Sequence, residues 1–215
     1  MLDYEENYHT VFHDKVLNSE EHYLLRSKLS LKRYFQPEDI DKKILEFGVG
    51  TGYNSFLFHN KYGFDISKFA LDFVKKKGFI TYNNLDDIPE NFFDIVLISH
   101  VLSNVTDPYQ TLLRCRNYLV PGGKLILIIP YEHNKKVELK LSPSQHLFSW
   151  NFLTINNLLF SSGFNVIKNK KIFAAGYYKT SFLANINFKL WDFSVALVGF
   201  LSNKSELLIE AIKQG

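Results

Sequence analysis

Short apolar runs alternate with stretches of helical spacing through most of the chain. Lys43–Phe47, Tyr62–Ile66, Phe79–Asn83, Phe93–Ser99 and Lys124–Ile129 are bounded by Gly, Pro, Asn or Asp, and each predicts a strand. The run Lys124–Ile129 (KLILII) is apolar enough to be buried on both faces. Helices are predicted between the strands: Tyr53–Asn60; a segment capped by Ser67 and running to about Lys77, where Gly78 ends it; and a segment opened by Asp107-Pro108 and running through Leu119. Pro121-Gly122-Gly123 predicts a tight turn. Repeated β-α units of this kind predict a parallel, doubly wound sheet of α/β class.

The two ends depart from that rhythm. Residues 1–40 are polar and aromatic, with Tyr4, Tyr8, Val11 and Phe12 on one helical face and Tyr23, Leu24, Leu29, Leu31 and Phe35 on another, so two helices are predicted before Pro37. They form an N-terminal helical cap (1–40) ahead of a main domain (41–215). After Pro130, residues 134–145 read as polar loop, Asn151–Ser161 as a helix stopped by Gly163, and Phe164–Phe173 and Glu206–Ile212 as two late strands. Between those strands, 174–204 reads as an amphipathic insertion. Its stretch Ser181–Ser202 carries Lys189 and Asp192 and does not read as a membrane span; packing on the sheet edge or a dimer contact comes first, ahead of an acceptor pocket for something greasy or a membrane-surface contact.

Composition narrows the functional classes. With 215 residues and 46 % hydrophobic positions the chain can bury a sizeable core. A net charge of +3 does not argue for nucleic-acid binding. One cysteine, Cys115, excludes an internal disulfide framework and a multi-cysteine zinc site, and fits a reducing compartment. The start Met-Leu-Asp-Tyr-Glu-Glu lacks the basic and apolar regions of a signal peptide, so a cytoplasmic location is expected.

The strongest motif is Ile44-Leu45-Glu46-Phe47-Gly48-Val49-Gly50-Thr51-Gly52: a strand ends, three glycines alternate and a helix is predicted to begin. Such glycines let the backbone turn sharply and let a ligand approach. A dinucleotide fingerprint would place its third glycine at Tyr53, and the Gly-Lys-Ser/Thr of a phosphate loop is absent. Glu46, two residues before the first glycine, would repel a pyrophosphate and suit a cationic amino-acid moiety. Asp65, in Gly63-Phe64-Asp65-Ile66, can accept hydrogen bonds from both hydroxyls of a ribose, or serve only as an acid near a helix start.

These residues resemble the class I S-adenosylmethionine-dependent methyltransferases, in the branch of small-molecule type-11/type-23-like domains. LEFGVGTG is similar to the family's first motif and GFDIS to its second. The stretch from Asn84 through FFDIVLISHVLSNVTDPYQTLLRCRNYLVPGGKLILIIP is similar to its middle section, and Gln145–Trp150 with SSGFNVI to its later part. The resemblance covers roughly residues 40–170. It implies a Rossmann-like, doubly wound, seven-stranded, mostly parallel sheet with an antiparallel last strand. It also implies S-adenosyl-L-methionine as cofactor and S-adenosyl-L-homocysteine as product. By the same resemblance Glu46 lies near the cofactor's amino group, Gly48, Val49 and Gly50 lie under its methionine part, Asp65 binds the ribose, and Ile66 and Leu85 pack on adenine. Asn84 then faces the adenine amine, and Ser99 and His100 border the methyl group.

Two departures shape the expected chemistry. Leu102-Ser103-Asn104-Val105 stands where many relatives carry Leu-Glu-His-Val, which argues against a metal-assisted reaction. The Asp/Asn-Pro-Pro-Tyr signature of base-amine methyltransferases is also absent. A small-molecule acceptor is therefore expected, with a hydroxyl of a sugar, lipid or secondary metabolite favoured. A hydroxyl calls for a base, and His100, His133 and His146, all near the carboxyl ends of strands, are the candidates. No Cys/His cluster at metal spacing appears, and no metal is expected. A non-catalytic cofactor-binding protein is the runner-up. A nicotinamide-dependent oxidoreductase is opposed by Tyr53 and Glu46.

Overall fold

A computed structural model describes residues 5–132 and 146–214. The expected loop at 134–145 and the candidate base His133 lie outside the described residues. Two helices come first, α1 (Glu6–Asn18) and α2 (Glu20–Tyr34). The order then runs β1 (Lys43–Phe47), β2 (Asn60–Phe64), α3 (Lys68–Lys76), β3 (Ile80–Tyr82), β4 (Phe93–Ser99), α4 (Pro108–Tyr118), β5 (Leu119–Tyr131) and α5 (Phe152–Ser161). It closes with β6 (Phe164–Phe173), α6 (Phe188–Leu201) and β7 (Ser205–Lys213).

The seven strands form one sheet in the order β3-β2-β1-β4-β5-β7-β6. All neighbours from β3 to β5 are parallel, and β7 runs antiparallel to both β5 and β6. The expected Rossmann-like sheet with a reversed last strand is therefore present. That reversal has a functional consequence: the beginning of β7 lies at the end of β5, with Glu206 opposite Pro130 and Ser205 opposite Tyr131. Side chains at the start of β7 thus reach the carboxyl edge of the parallel strands, where open α/β sheets bind ligands.

Both faces of the central strands are buried, because alternate side chains point to opposite sides. Val96 and Ile98 of β4 and Leu125, Leu127 and Ile129 of β5 meet Leu112 and Cys115 of α4 and Ile155 and Leu159 of α5. On the opposite face, Ile95, Leu97, Ile126 and Ile128 meet Tyr34, Phe35 and Phe58. The second face is thus covered largely by the end of α2. α6 follows beside it through Trp191 and Val195, which pack with Leu29.

Three expectations are corrected. Residues 53–60 do not form a helix; 53–57 are successive turns, and β2 already begins at Asn60. Seven residues separate Gly52 from β2, too few for a return helix. The segment instead drops Phe58 into the core and turns Asn54 and Ser55 back toward β1. Pro121-Gly122-Gly123 is no separate turn; it lies within β5, where the pairing with β4 shifts register between Phe93 and Ile95. The insertion is not amphipathic in α6: buried Trp191, Val195 and Gly199 are backed by an outer face that is also apolar.

Candidate functional site

The cavity of about 720 Å³ opens over the ends of β1, β2 and β4, and α1 lies across its rim. Its floor is the glycine loop. Gly48 has φ +75°, and a Cβ there would meet Val101 Cγ2 at 2.2 Å, so no other residue fits. Gly50 has φ +50° and faces open space, with only His9 near at 3.8 Å. The loop thus presents bare backbone to the cavity. The amides of Gly48 and Val49 are already used, donating to the Phe64 carbonyl at 2.8 and 2.9 Å.

Two carboxylates flank this floor. Asp65, just past β2, accepts from the Gly50 amide at 2.8 Å through Oδ2 and from the Ser67 amide at 3.0 Å through Oδ1. Each oxygen keeps a lone-pair direction for a further donor. Burial pushes the Asp65 carboxyl up, and these two amides hold part of it back. Glu46, on β1, is 1 % exposed. It accepts from Asn54 Nδ2 at 3.0 Å and from the Ser55 hydroxyl, and Ser30 of α2 in turn donates to Asn54 Oδ1 at 2.8 Å. Burial pushes Glu46 up to about 7 despite these donors. A buried carboxyl poised near neutrality is one that a bound cation would ionise.

The other sequence-derived residues distribute unevenly. Val49, Ile66, Leu85 and Ser99 line the cavity, with Ile66 exposed. Asn84 is not on the cavity wall; its amide oxygen caps the short 3₁₀ turn Leu85–Asp87 by accepting from the Asp86 amide at 3.3 Å. His146 lines the cavity and its Nδ1 lies 2.7 Å from Glu132 Oε1. His100 follows β4 in the left-handed region, with φ +57°, and lines the cavity.

The structure adds Glu206, Tyr34, Arg26 and Tyr177, which the motifs did not indicate. His100 Nε2 lies 3.1 Å from Oε1 of Glu206, whose Oε2 accepts from the Tyr34 hydroxyl at 3.2 Å. Burial pushes Glu206 up, but the His100 hydrogen bond and charge, with Arg26 and Tyr34, hold it below the usual carboxylate range. The signal for Glu206 was present: it is an acid at the start of the apolar strand Ser205–Lys213, on the one strand expected to run backwards. Arg26 of α2 stands between the rings of Tyr53 and Tyr177, 4.5 and 3.6 Å from their centroids, and donates to the Tyr53 hydroxyl at 2.8 Å. No spacing rule links positions 26, 53 and 177, so these residues were invisible in the sequence. From α1, His9 stacks on Phe69 and on His13. Burial, with the charges of His9, Arg26 and His100, lowers His13 to about 3, so it is a neutral imidazole.

Residues 45–127 match the profile of a family described as "Methyltransferase domain". The match runs from β1 into β5, so this part of the chain is similar to methyltransferase domains.

The chain has the fold of S-adenosylmethionine-dependent methyltransferases of known structure. It is similar to an uncharacterized protein of Methanocaldococcus jannaschii, 33 % identical over 133 residues, which cover 58 % of this chain and 65 % of that one. It is also similar to an uncharacterized protein of Mycobacterium tuberculosis, 35 % identical over 86 residues, 39 % of this chain and 30 % of that one. The matched part thus spans less than a third of the length of the mycobacterial relative. Among solved structures it shares its fold with a methyltransferase of Thermotoga maritima (TM-score 0.64, 18 % identity, 97 % of each chain). It likewise resembles Haemonchus contortus phosphoethanolamine N-methyltransferase 2 (TM-score 0.64, 15 % identity, all of this chain and 60 % of that one), solved with phosphomonomethylethanolamine and S-adenosylhomocysteine.

The site suits the S-adenosylmethionine of such enzymes on three counts. The loop offers bare backbone at Gly50, the Asp65 carboxylate beside it has spare acceptor capacity, and a second carboxyl near neutrality, Glu46, stands on β1. The cavity volume lies in the range that small-molecule sites use.

Proposed function

We propose that this methyltransferase acts on a hydroxyl of a small-molecule acceptor, a sugar, lipid or secondary metabolite, with His100 as the base. The observation that carries the reading is the half-buried Glu206 carboxylate beside His100 Nε2. An ionised carboxylate only accepts hydrogen bonds, so in neutral His100 the proton sits on Nε2 and Nδ1 is left basic. Glu206 then positions the ring and compensates the imidazolium that forms when Nδ1 takes the hydroxyl proton. His146, held by Glu132, is the second candidate for the same role.

The bound cofactor supplies the electrophilic methyl group for an in-line displacement. Glu46 would hold its ammonium, Gly48, Val49 and Gly50 would underlie its methionine part, and Asp65 would hold its ribose hydroxyls. Ile66 and Leu85 would flank the adenine, and Ser99 would border the methyl group. Asn84 is proposed for the adenine amine only by resemblance, since its side chain serves a local cap. Alignment of acceptor and donor supplies the rest of the rate.

An amine acceptor, as in the Haemonchus enzyme, needs no such base, and this distinguishes the two chemistries. The test is methyl transfer from labelled S-adenosylmethionine across matched hydroxyl and amine acceptors. His100→Gln is expected to lower kcat on the hydroxyl acceptor by about 10²- to 10⁴-fold while S-adenosylhomocysteine affinity stays unchanged. Transfer confined to amines, or a rate indifferent to His100, would overturn the reading.

A further inference from the structure

Helix α6 carries a property that neither fold nor catalysis explains. Its inner face is fixed: Trp191 and Val195 are buried, and Gly199 packs so tightly that a Cβ would lie 2.3 Å from the Ala174 amide nitrogen. The opposite face is therefore presented outward by rigid packing. It consists of Leu190, Phe193, Leu197, Phe200 and Leu201, of which Phe193, Phe200 and Leu201 are 65, 62 and 74 % exposed. A helix that is apolar all round belongs in a core or against an apolar medium.

The surroundings say which medium. Residues 164–204 contain six lysines and one acid, Asp192, a balance of 6 − 1 = +5 within a chain of +3. Asp192 is turned inward and bound by Arg33 and Lys32 of α2. Lys189 and Lys204 stand exposed at the two ends of α6, and Lys171 lies over the ring of Phe173, which itself touches Phe200. The helix hydroxyls make no outward demand. Ser194 donates to the Trp191 carbonyl at 2.7 Å and Ser202 to that of Val198 at 2.6 Å.

We infer that α6 is an interfacial helix that docks this protein on an anionic lipid surface, with its phenylalanine and leucine face entering the headgroup boundary and its flanking lysines on the headgroups. An apolar face rimmed by cations, with its hydroxyls satisfied internally, is what such a surface selects. A symmetric pair of chains meeting through α6 would press each lysine rim against its copy. No described helix is long and apolar enough to cross a membrane, so the contact is with the surface. The inference does not rest on the acceptor proposed above.

The test is flotation of the full chain with phosphatidylcholine vesicles, with and without about a third phosphatidylserine. The wild-type protein is expected to float with the anionic vesicles and to remain behind with the neutral ones, and the binding to fall at high salt as screening shortens the reach of the lysines. Lys189→Gln with Lys204→Gln is expected to weaken partitioning by about fivefold per lysine. Phe193→Ser with Phe200→Ser is expected to abolish it. Thermal stabilisation by S-adenosylhomocysteine, measured on the same samples, reports whether each variant is folded and whether the cofactor reading holds. Absence of flotation, equal flotation with neutral vesicles, flotation of the serine variant, or a concentration-dependent dimer that the serine variant dissolves would each overturn the proposal.

Discussion

On the proposed reading, Glu46 couples proton and cofactor chemistry in one buried carboxyl. Its folded pKa near 7 lies above the value of 4.5 for an unperturbed glutamate. For an acid raised on folding, the neutral form is the stable one. The fold is therefore least burdened below pH 4.5, and it loses stability as pH rises through 7, by up to about 3 kcal/mol. A ligand ammonium reverses the preference by favouring the ionised form. S-Adenosylhomocysteine is thus expected to bind more tightly as pH rises from 6 to 8, with release of a proton. Calorimetry in buffers of different ionisation enthalpy reads that proton directly. Glu46→Gln is expected to remove both the proton release and the pH dependence, and to raise the melting temperature of the free protein at pH 8.

The elements show how far pattern reading reaches. Most strands were legible because they are short apolar runs with their own punctuation; β4 and β6 fall at the expected residues, and β2 begins two residues earlier, at Asn60. The segment 53–60 was not, because Tyr53, Phe56 and Leu57 repeat at helical spacing although the segment turns. What decides there is the length of chain left before β2 and the call of Glu46 for two hydrogen-bond donors, neither of which appears in a periodicity. The glycine loop, Glu46 and Asp65 were legible as a local motif. Glu206, Tyr34, Arg26 and Tyr177 come together only through the sheet order and the placement of α2. α1 is also tied from afar: the Glu5 carboxylate, at the start of α1, accepts from the amides of Lys68 and Phe69 at 3.1 and 3.0 Å and from the Ser67 hydroxyl at 3.1 Å. It thus caps α3 from outside. Removing a cap of this kind costs about 0.5–2 kcal/mol. Glu5→Ala is expected to loosen α1 from the rim of the cavity, seen as faster amide exchange in α1 and faster dissociation of S-adenosylhomocysteine. Unchanged exchange in α1 would show that the aromatic contacts of His9 hold it without Glu5.

At the scale of the whole molecule, the single thiol is a reporter of cooperativity. Cys115 is fully buried between α4 and the sheet, and burial pushes its thiol far above the usual range. Labelling by a maleimide is expected to wait for global opening, at least about 10³-fold slower than in denaturant, and to slow further when S-adenosylhomocysteine is bound. Labelling at the unfolded rate would mean that the sheet and α4 separate locally. The strand order has one more consequence, set by the direction of synthesis. Among the described residues β6 pairs only with β7, yet β7 begins at Ser205, after the whole insertion. On a ribosome adding about 5–20 residues per second, the Lys-rich strand β6 waits roughly 2–6 s for its only neighbour. During that interval it is an open edge, and its lysines at 168, 170 and 171 are the residues that discourage edge-to-edge pairing between nascent chains.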